Sequence, residues 1–259
     1  MLALLLGSLV GLSLGLTGGG GSIFAVPLLV YGLHVDFREA VTLSLAIVGT
    51  TALYGASIQA RRKVVLWGAG AVLGLGGIVT APFGAALGHH ISERLSLMLF
   101  AGLMIVVGAQ MFAGRRNMVI AAIACQRTPQ GELRFSWRCA IKLLTTGMVA
   151  GILSGVFGVG GGFLLVPALL MVTGISIDSA MATSLVSIAL ISASGFIANL
   201  QHLNSEMLYV AALFFIGSVL GMTGGASVKK HLPSHTLRRI FGTVIIGTAI
   251  TLLALNAFG

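Results

Sequence analysis

The sequence predicts an all-α integral membrane protein: two inverted repeats, each with a glycine-broken helical hairpin followed by three transmembrane helices. Three observations lead there. The 259 residues are 57% hydrophobic and only 8% charged, where a soluble domain carries roughly a quarter charged residues. The second half of the chain repeats the first. The apolar run that opens each half is interrupted near its middle by a cluster of glycines.

The charges mark out the spans. Runs free of Asp, Glu, Lys and Arg cover 1–35, 40–60, 64–92, 95–114, 143–177, 179–205, 207–228 and 240–259. Each is long enough to cross the bilayer as a helix, which takes about 20 residues for about 30 Å of hydrocarbon. The net charge of +9 is confined to the interruptions, so it reads as topological information and not as a nucleic-acid surface. A water-soluble enzyme, a nucleic-acid binder and a disordered scaffold are excluded on the same ground. The first run carries no charge before Asp36; it lacks the basic start of a signal peptide and is expected to stay in the mature protein. Cys125 and Cys139 both fall in the polar stretch 115–142. Two cysteines make neither a disulfide framework nor a zinc site, and free thiols are expected.

The duplication is read from the glycines. Superposing residues 11–27 on 151–167 pairs Gly11 with Gly151, Gly15 with Gly155, Gly18 with Gly158, Gly20 and Gly21 with Gly160 and Gly161, and Pro27 with Pro167. Further on, an offset of 142 pairs Gly32 with Gly174, Asp36 with Asp178, Ala40 with Ala182, Leu43 with Leu185 and Gln59 with Gln201. The expected organisation is a first transmembrane repeat at 1–114, a basic cytoplasmic linker at 115–139 and a second repeat at 140–259. Runs one and five would each measure about 52 Å as one helix, too long for a single crossing. Each must break, at Gly18-Gly19-Gly20-Gly21 and at Gly158-Val159-Gly160-Gly161-Gly162. The products are either re-entrant hairpins or pairs of short crossings.

Charge chooses how the halves are related. If the broken run goes in and returns, the halves are inverted. One side then collects Arg61, Arg62, Lys63, Arg115, Arg116, Arg127, Arg134, Arg138, Lys142, Lys229, Lys230, Arg238 and Arg239, leaving Arg38 and Arg94 opposite. If it crosses once, the halves are parallel and the split is nine to six. Lys and Arg concentrate in cytoplasmic loops, so the inverted arrangement is expected, with both termini extracytoplasmic.

Irregular backbone at membrane depth is tolerated only where protein covers it or it lines a wet cavity, so the two glycine tips are expected to face each other. The half-helix after each tip begins with unpaired N–H groups and a partial positive charge, which suits a small anion. The candidate substrate-binding residues are Gly18, Gly19, Gly20, Gly21, Ser22 and Pro27 in the first copy, and Gly158, Gly160, Gly161, Gly162 and Pro167 in the second. The prolines free a carbonyl one turn back and are expected to keep the backbone irregular. The hydroxyls of Thr42, Ser44, Thr183, Ser184 and Ser187 open the following helices and are candidates to reach the site. Gln59, Asn199, Gln201 and His202 close those helices and are candidate gate residues. Asp36 and Asp178 are read as helix N-caps, with Glu39 completing a capping box after Asp36. The plainer reading of glycines, close helix packing, is assigned to Gly84-x-x-x-Gly88 and Gly217-x-x-x-Gly221. The expected partners are a small anion and the lipid bilayer, with no nucleic acid, cofactor or metal; the sequence does not set an oligomeric state.

A rival enzyme motif, Gly11-Leu12-Ser13-Leu14-Gly15, fits the G-x-S-x-G of hydrolases but lies in an apolar helical run instead of a strand, turn and helix. An intramembrane serine protease is therefore disfavoured. A metal-cation transporter would need carboxylate or thiol ligands that these spans lack.

The repeated glycine break followed by proline, Gly18 to Pro27 and Gly158 to Pro167, together with Ala182-Thr183-Ser184-Leu185, resembles the TauE/SafE family of sulfite exporters. The resemblance covers nearly the whole chain. It implies a transporter of sulfite or related sulfur-containing anions such as organosulfonates, generally in the bacterial inner membrane. The first copy departs from the pattern, reading Ala40-Val41-Thr42-Leu43.

Overall fold

The computed structural model describes residues 1–112, 125–127, 133–134, 136–202, 208–228 and 234–258. The linker charges Arg115 and Arg116, together with Lys229, Lys230 and His231, lie outside the described residues. The described residues are helical almost throughout: α1 (Leu2–Thr17), α2 (Ala25–Pro27), α3 (Phe37–Arg61), α4 (Trp67–His90), α5 (Glu93–Phe112), α6 (Trp137–Phe157), α7 (Gly162–Thr173), α8 (Ile177–Asn199), α9 (Leu208–Val228) and α10 (Ser234–Phe258). A 3₁₀ turn, Gly20–Phe24, and a π segment, Leu28–Gly32, flank α2 and extend it into one half-helix. Among the described residues five helices, within α3, α4, α6, α8 and α9, are long and apolar enough to cross a membrane by length and composition.

Small residues at helical spacing decide which helices touch. Gly7, Gly11 and Gly15 of α1 bear on the backbone of Phe214, Ser218 and Met222 of α9; Gly217, Gly221 and Gly225 return the contact onto Leu4, Ser8 and Leu12. The same interface is repeated by Gly147, Gly151 and Gly155 of α6 against Leu73, Gly77 and Ala81 of α4. Thr80 stands there in the partner stripe, and its hydroxyl donates to Met148 O at 2.7 Å. In lipid the drive for such pairing is close backbone approach and not apolar burial. Both pairs run parallel, since rising numbers on one helix meet rising numbers on the other. The packing reading of Gly84 and Gly217 is met at these seams. α3 packs on α8 and on its other flank α4 packs on α8, while α5 packs on α10.

Each broken run is a hairpin that returns to its own starting end. Gly32 rests against Leu6, a little over one turn from the start of α1: a Cβ on Gly32 would lie 2.7 Å from Leu6 Cδ1. In the second half, the N–H of Cys125 donates to Val172 O at the end of α7 (3.3 Å), and Cys125 is disulfide-bonded to Cys139 in the first turn of α6.

Two expectations need correction. The offset of 142 beyond the tips is replaced by 140: α3 begins at Phe37 and α8 at Ile177, and the left-handed His34 (φ 55°) corresponds to the left-handed Gly174 (φ 62°). Asp36 thus matches Ser176, not Asp178. Ser176 is the N-cap of α8, its side chain accepting from the N–H of Ser179, whereas Asp178 lies within the first turn. Asp36 occupies the N-cap position of α3 without a side-chain capping bond, so the capping box with Glu39 is not formed.

The cysteines are the second correction. They are not free thiols: Cys125 and Cys139 form a disulfide across 14 residues, with Cα atoms 4.9 Å apart. A two-residue antiparallel ladder, β1 (Gln126–Arg127) with β2 (Leu133–Arg134), turns the intervening segment back and brings the cysteines together. Spacing alone carries no sign of that turn. Closing a loop of about 15 residues is worth about 3 kcal/mol in the chain-entropy account. Cys139→Ser is therefore expected to lower the thermal midpoint in detergent, and reductant to lower the wild-type midpoint to the same value.

Candidate functional site

Glycine is required at both tips. Gly18 and Gly158 end α1 and α6 in the left-handed conformation (φ 71° and 69°), their N–H groups donating to Leu14 O and Ser154 O at 2.7 and 2.8 Å. A side chain there would be strained, and it would also collide, since a Cβ on Gly158 would lie 2.7 Å from Val41 Cα. The tips meet: a Cβ on Gly162 would fall 2.7 Å from Gly19 O, and one on Gly19 equally close to Gly162 O.

Each tip is also held by a serine from the opposite half. Ser184 of α8 donates to Gly18 O at 2.7 Å, and Ser44 of α3 donates to Gly158 O. These are equivalent positions at the 140 offset. Among the candidate hydroxyls, Ser44, Ser184 and Ser22 are thus brought to the tips, Ser22 bonding Gly19 O at 2.8 Å. The others go elsewhere. Thr183 accepts from the Leu66 N–H at 3.0 Å and Ser187 donates to Gly70 O at 2.9 Å, both fastening α8 to α4. Thr42 donates to Arg38 O within its own helix at 3.0 Å and to Asn199 O at 3.4 Å.

The candidate gate residues are not brought together. Asn199 is buried opposite Thr42 with its amide donating to Gly195 O at 2.8 Å. Gln59 lies 17 residues beyond Thr42 on the same helix, about 25 Å away. Gln201 is exposed, and His202 ends the 3₁₀ turn Leu200–His202. The prolines also part company. After Pro27 the helix widens to the π form, as an irregular backbone would require, whereas Pro167 is absorbed in a continuous α7.

The two tips differ in how their amides are used. In the first, the Gly21 N–H donates to Thr17 Oγ1 at 3.2 Å, and the Ser22 N–H donates to Gly19 O at 3.3 Å. In the second, among the described residues, the N–H groups of Gly160, Gly161, Gly162 and Phe163 donate to nothing; the first bonded amide is Leu164, to Gly161 O at 3.1 Å. Four successive unbonded N–H groups at a helix N-terminus, two of them on the left-handed Gly160 and Gly161 (φ 65° and 66°), are donors of the kind that can bind an anion.

The buried hydroxyls of Ser13, Thr51, Ser154 and Ser192 have no partner among the described residues; Ser192 Oγ lies 2.8 Å from where a Cβ of Gly160 would stand, and Ser13 lies against Gly21 of the first tip. The sequence reading passed over all four as binding residues. The signal available was the repeat itself: at the 140 offset Ser192 matches Ala52 and Thr51 matches Ile191, so each is a hydroxyl that its counterpart lacks. Among the described residues no three His, Cys, Asp or Glu side chains come together as a metal site.

A polytopic helical membrane protein with two packed hairpin tips, one of them rich in open amide donors, has the build of a small-solute transporter. The chain belongs to the sulfite exporter TauE/SafE family, whose model matches residues 3–252. It is 32% identical over 250 residues to a probable membrane transporter protein of Xylella fastidiosa, covering 94% of this chain and 91% of that one. It is 28% identical over 239 residues to the probable membrane transporter protein YdhB of Bacillus subtilis, covering 92% and 94%. A probable membrane transporter protein of Methanocaldococcus jannaschii is 24% identical over 257 residues, with 94% and 91% covered. No solved structure matches the chain.

Proposed function

We propose that this protein exports sulfite or a related small sulfur-containing anion across the bacterial inner membrane, through a site where the two glycine tips meet. The observation that carries the reading is the second tip: four successive amides without a hydrogen bond in a buried hairpin that touches the first tip. An anion is the ligand that such donors and the positive end of α7 stabilise. The inverted-repeat reading is supported by the exchange of α1 on α9 with α6 on α4, by the reciprocal serine bonds, and by hairpins that return to their starting ends. With the Lys- and Arg-rich end in the cytoplasm, both termini are extracytoplasmic. On that side the Cys125–Cys139 bridge faces a reducing compartment and stands open in the cell, whereas the opposite orientation keeps it closed. Labelling of single cysteines in intact cells distinguishes the two.

Export needs no coupling ion. With an inside-negative potential, each negative charge leaving gains about 2.3 kcal/mol per 100 mV. Purified protein in liposomes loaded with sulfite, sulfate, thiosulfate or a sulfonate is expected to release at least one of them, faster when the potential inside is made negative and without a pH gradient. Efflux that ignores voltage and follows an imposed proton gradient, together with a folded but inactive Asp178→Asn variant, would replace this mechanism with proton coupling.

A further inference from the structure

We propose that the second glycine tip alone holds the anion, with the hydroxyls of Ser192 and Thr51 as its side-chain donors, and that the first tip is the wall closing over it. This rests on the anion-transport reading above. It follows from three independent features of the second tip.

The first is the amides. Those of Gly160 to Phe163 are open, while the first tip has spent the Gly21 and Ser22 N–H groups on Thr17 and Gly19. A ligand gains little from donors already satisfied. The second is Ser192. Its side chain is fully buried and its Oγ has no partner, yet that oxygen lies 2.8 Å from where a Cβ of Gly160 would stand. The hydroxyl therefore stands directly against the glycine, beside Val48 and Ile188. An unpartnered buried hydroxyl costs about 1–3 kcal/mol, and a bound oxyanion removes that cost.

The third is the face of α3. Ser44, Val48 and Thr51 fall in one stripe at spacings of four and three, which on a helix share a side. Ser44 bonds Gly158 O, and Val48 Cγ1 lies 2.9 Å from the Gly160 Cβ position. Thr51 continues the stripe by one turn, is fully buried and has an unpartnered hydroxyl. Ser13, the corresponding orphan near the first tip, does not build an equivalent site. There Gly21 is pressed directly on the α1 backbone, a Cβ lying 2.5 Å from the carbonyl carbon of Ser13 and 2.7 Å from its Cβ. Val48 and Ile188 supply apolar flanks beside Gly160 and Gly162, so the ligand that fits is a small oxyanion taking hydrogen bonds on one side.

The test is sulfite uptake into proteoliposomes as a function of concentration, with the thermal midpoint of each purified variant measured beside it. Hydrogen bonds to a charged group are worth enough that losing one should raise KM about tenfold. Ser192→Ala and Thr51→Val are each expected to raise KM by about that factor, and by clearly more than Ser22→Ala does. Their thermal midpoints should stay level or rise, because an unsatisfied hydroxyl has been removed. A purely structural role predicts the same midpoints with KM unmoved. A change in KM below about twofold in both variants overturns the proposal, as does a Ser22→Ala effect equal to that of Ser192→Ala. Thr51→Val preserves side-chain shape and decides the matter alone if Ser192→Ala does not fold. If wild-type protein carries none of the four anions, the transport reading falls and this inference falls with it.

Discussion

Gly151→Val is expected to prevent the protein from being purified as a single species, because it drives α6 off α4. A Cβ at Gly151 would lie 2.5 Å from Gly77 O and 2.7 Å from Gly77 Cα, with the Thr80 hydroxyl closer still. The obstruction is backbone, which has no rotamer to change. The cost should lie at or above the upper end of overpacking penalties, about 3 kcal/mol, against a total stability on the order of 5–15 kcal/mol. Gly11→Val should do the same at α1 and α9, where the added atom would meet the Ser218 carbonyl. Gly102→Ala and Gly247→Ala are the controls, since nothing lies within 4 Å of either Cβ position. Helix propensity favours them by about 1 kcal/mol. Size-exclusion profiles and thermal midpoints in one detergent make the comparison; equal behaviour of Gly151→Val and Gly102→Ala would remove the seam from the account of this fold.

The second large effect is on transport. Gly160→Ala is expected to fold and to lose most anion flux. Its φ of 65° makes any side chain cost about 1–2 kcal/mol. The neighbours of the new methyl are the ends of side chains, Ser192 Oγ at 2.8 Å and Val48 Cγ1 at 2.9 Å, which can move. Moving them displaces the Ser192 hydroxyl from its place beside the tip. Gly20→Ala makes the contrast. Gly20 is not left-handed, and its nearest neighbour would be Thr17 Oγ1 at 3.2 Å, so the loss there should be several-fold smaller. Flux assays on matched amounts of reconstituted protein measure both; equal losses would return the two tips to equal standing.

The membrane class, the two glycine breaks and the duplication were all legible in the residues, for a common reason. Each is written in composition or in local spacing: a bilayer demands long charge-free runs, and a left-handed helix end demands glycine at Gly18 and Gly158. The parallel seams were half legible. Glycines four apart announce close packing, but not whether Gly84 meets α6 or some other helix. The register was misread where similarity was thin, because matching Asp36 to Asp178 followed identity, whereas the fold follows the loop geometry shared by His34 and Gly174.

What only the tertiary structure decided was the use made of each polar group. Thr183 and Ser184 are adjacent in sequence and look alike as candidates, yet a helix turns 100° between them. One therefore meets α4 and the other meets Gly18. Cys125 and Cys139 pair because β1 and β2 fold the linker back, a contact that no spacing rule contains. The difference between the tips has a different origin. The oxygens that take the Gly21 and Ser22 N–H groups are Thr17 Oγ1 and Gly19 O, four and three residues back, and the second copy has Phe157 where the first has Thr17. This contrast was written locally in the sequence, while the partners of Ser44, Thr183 and Ser184 had to wait for the fold.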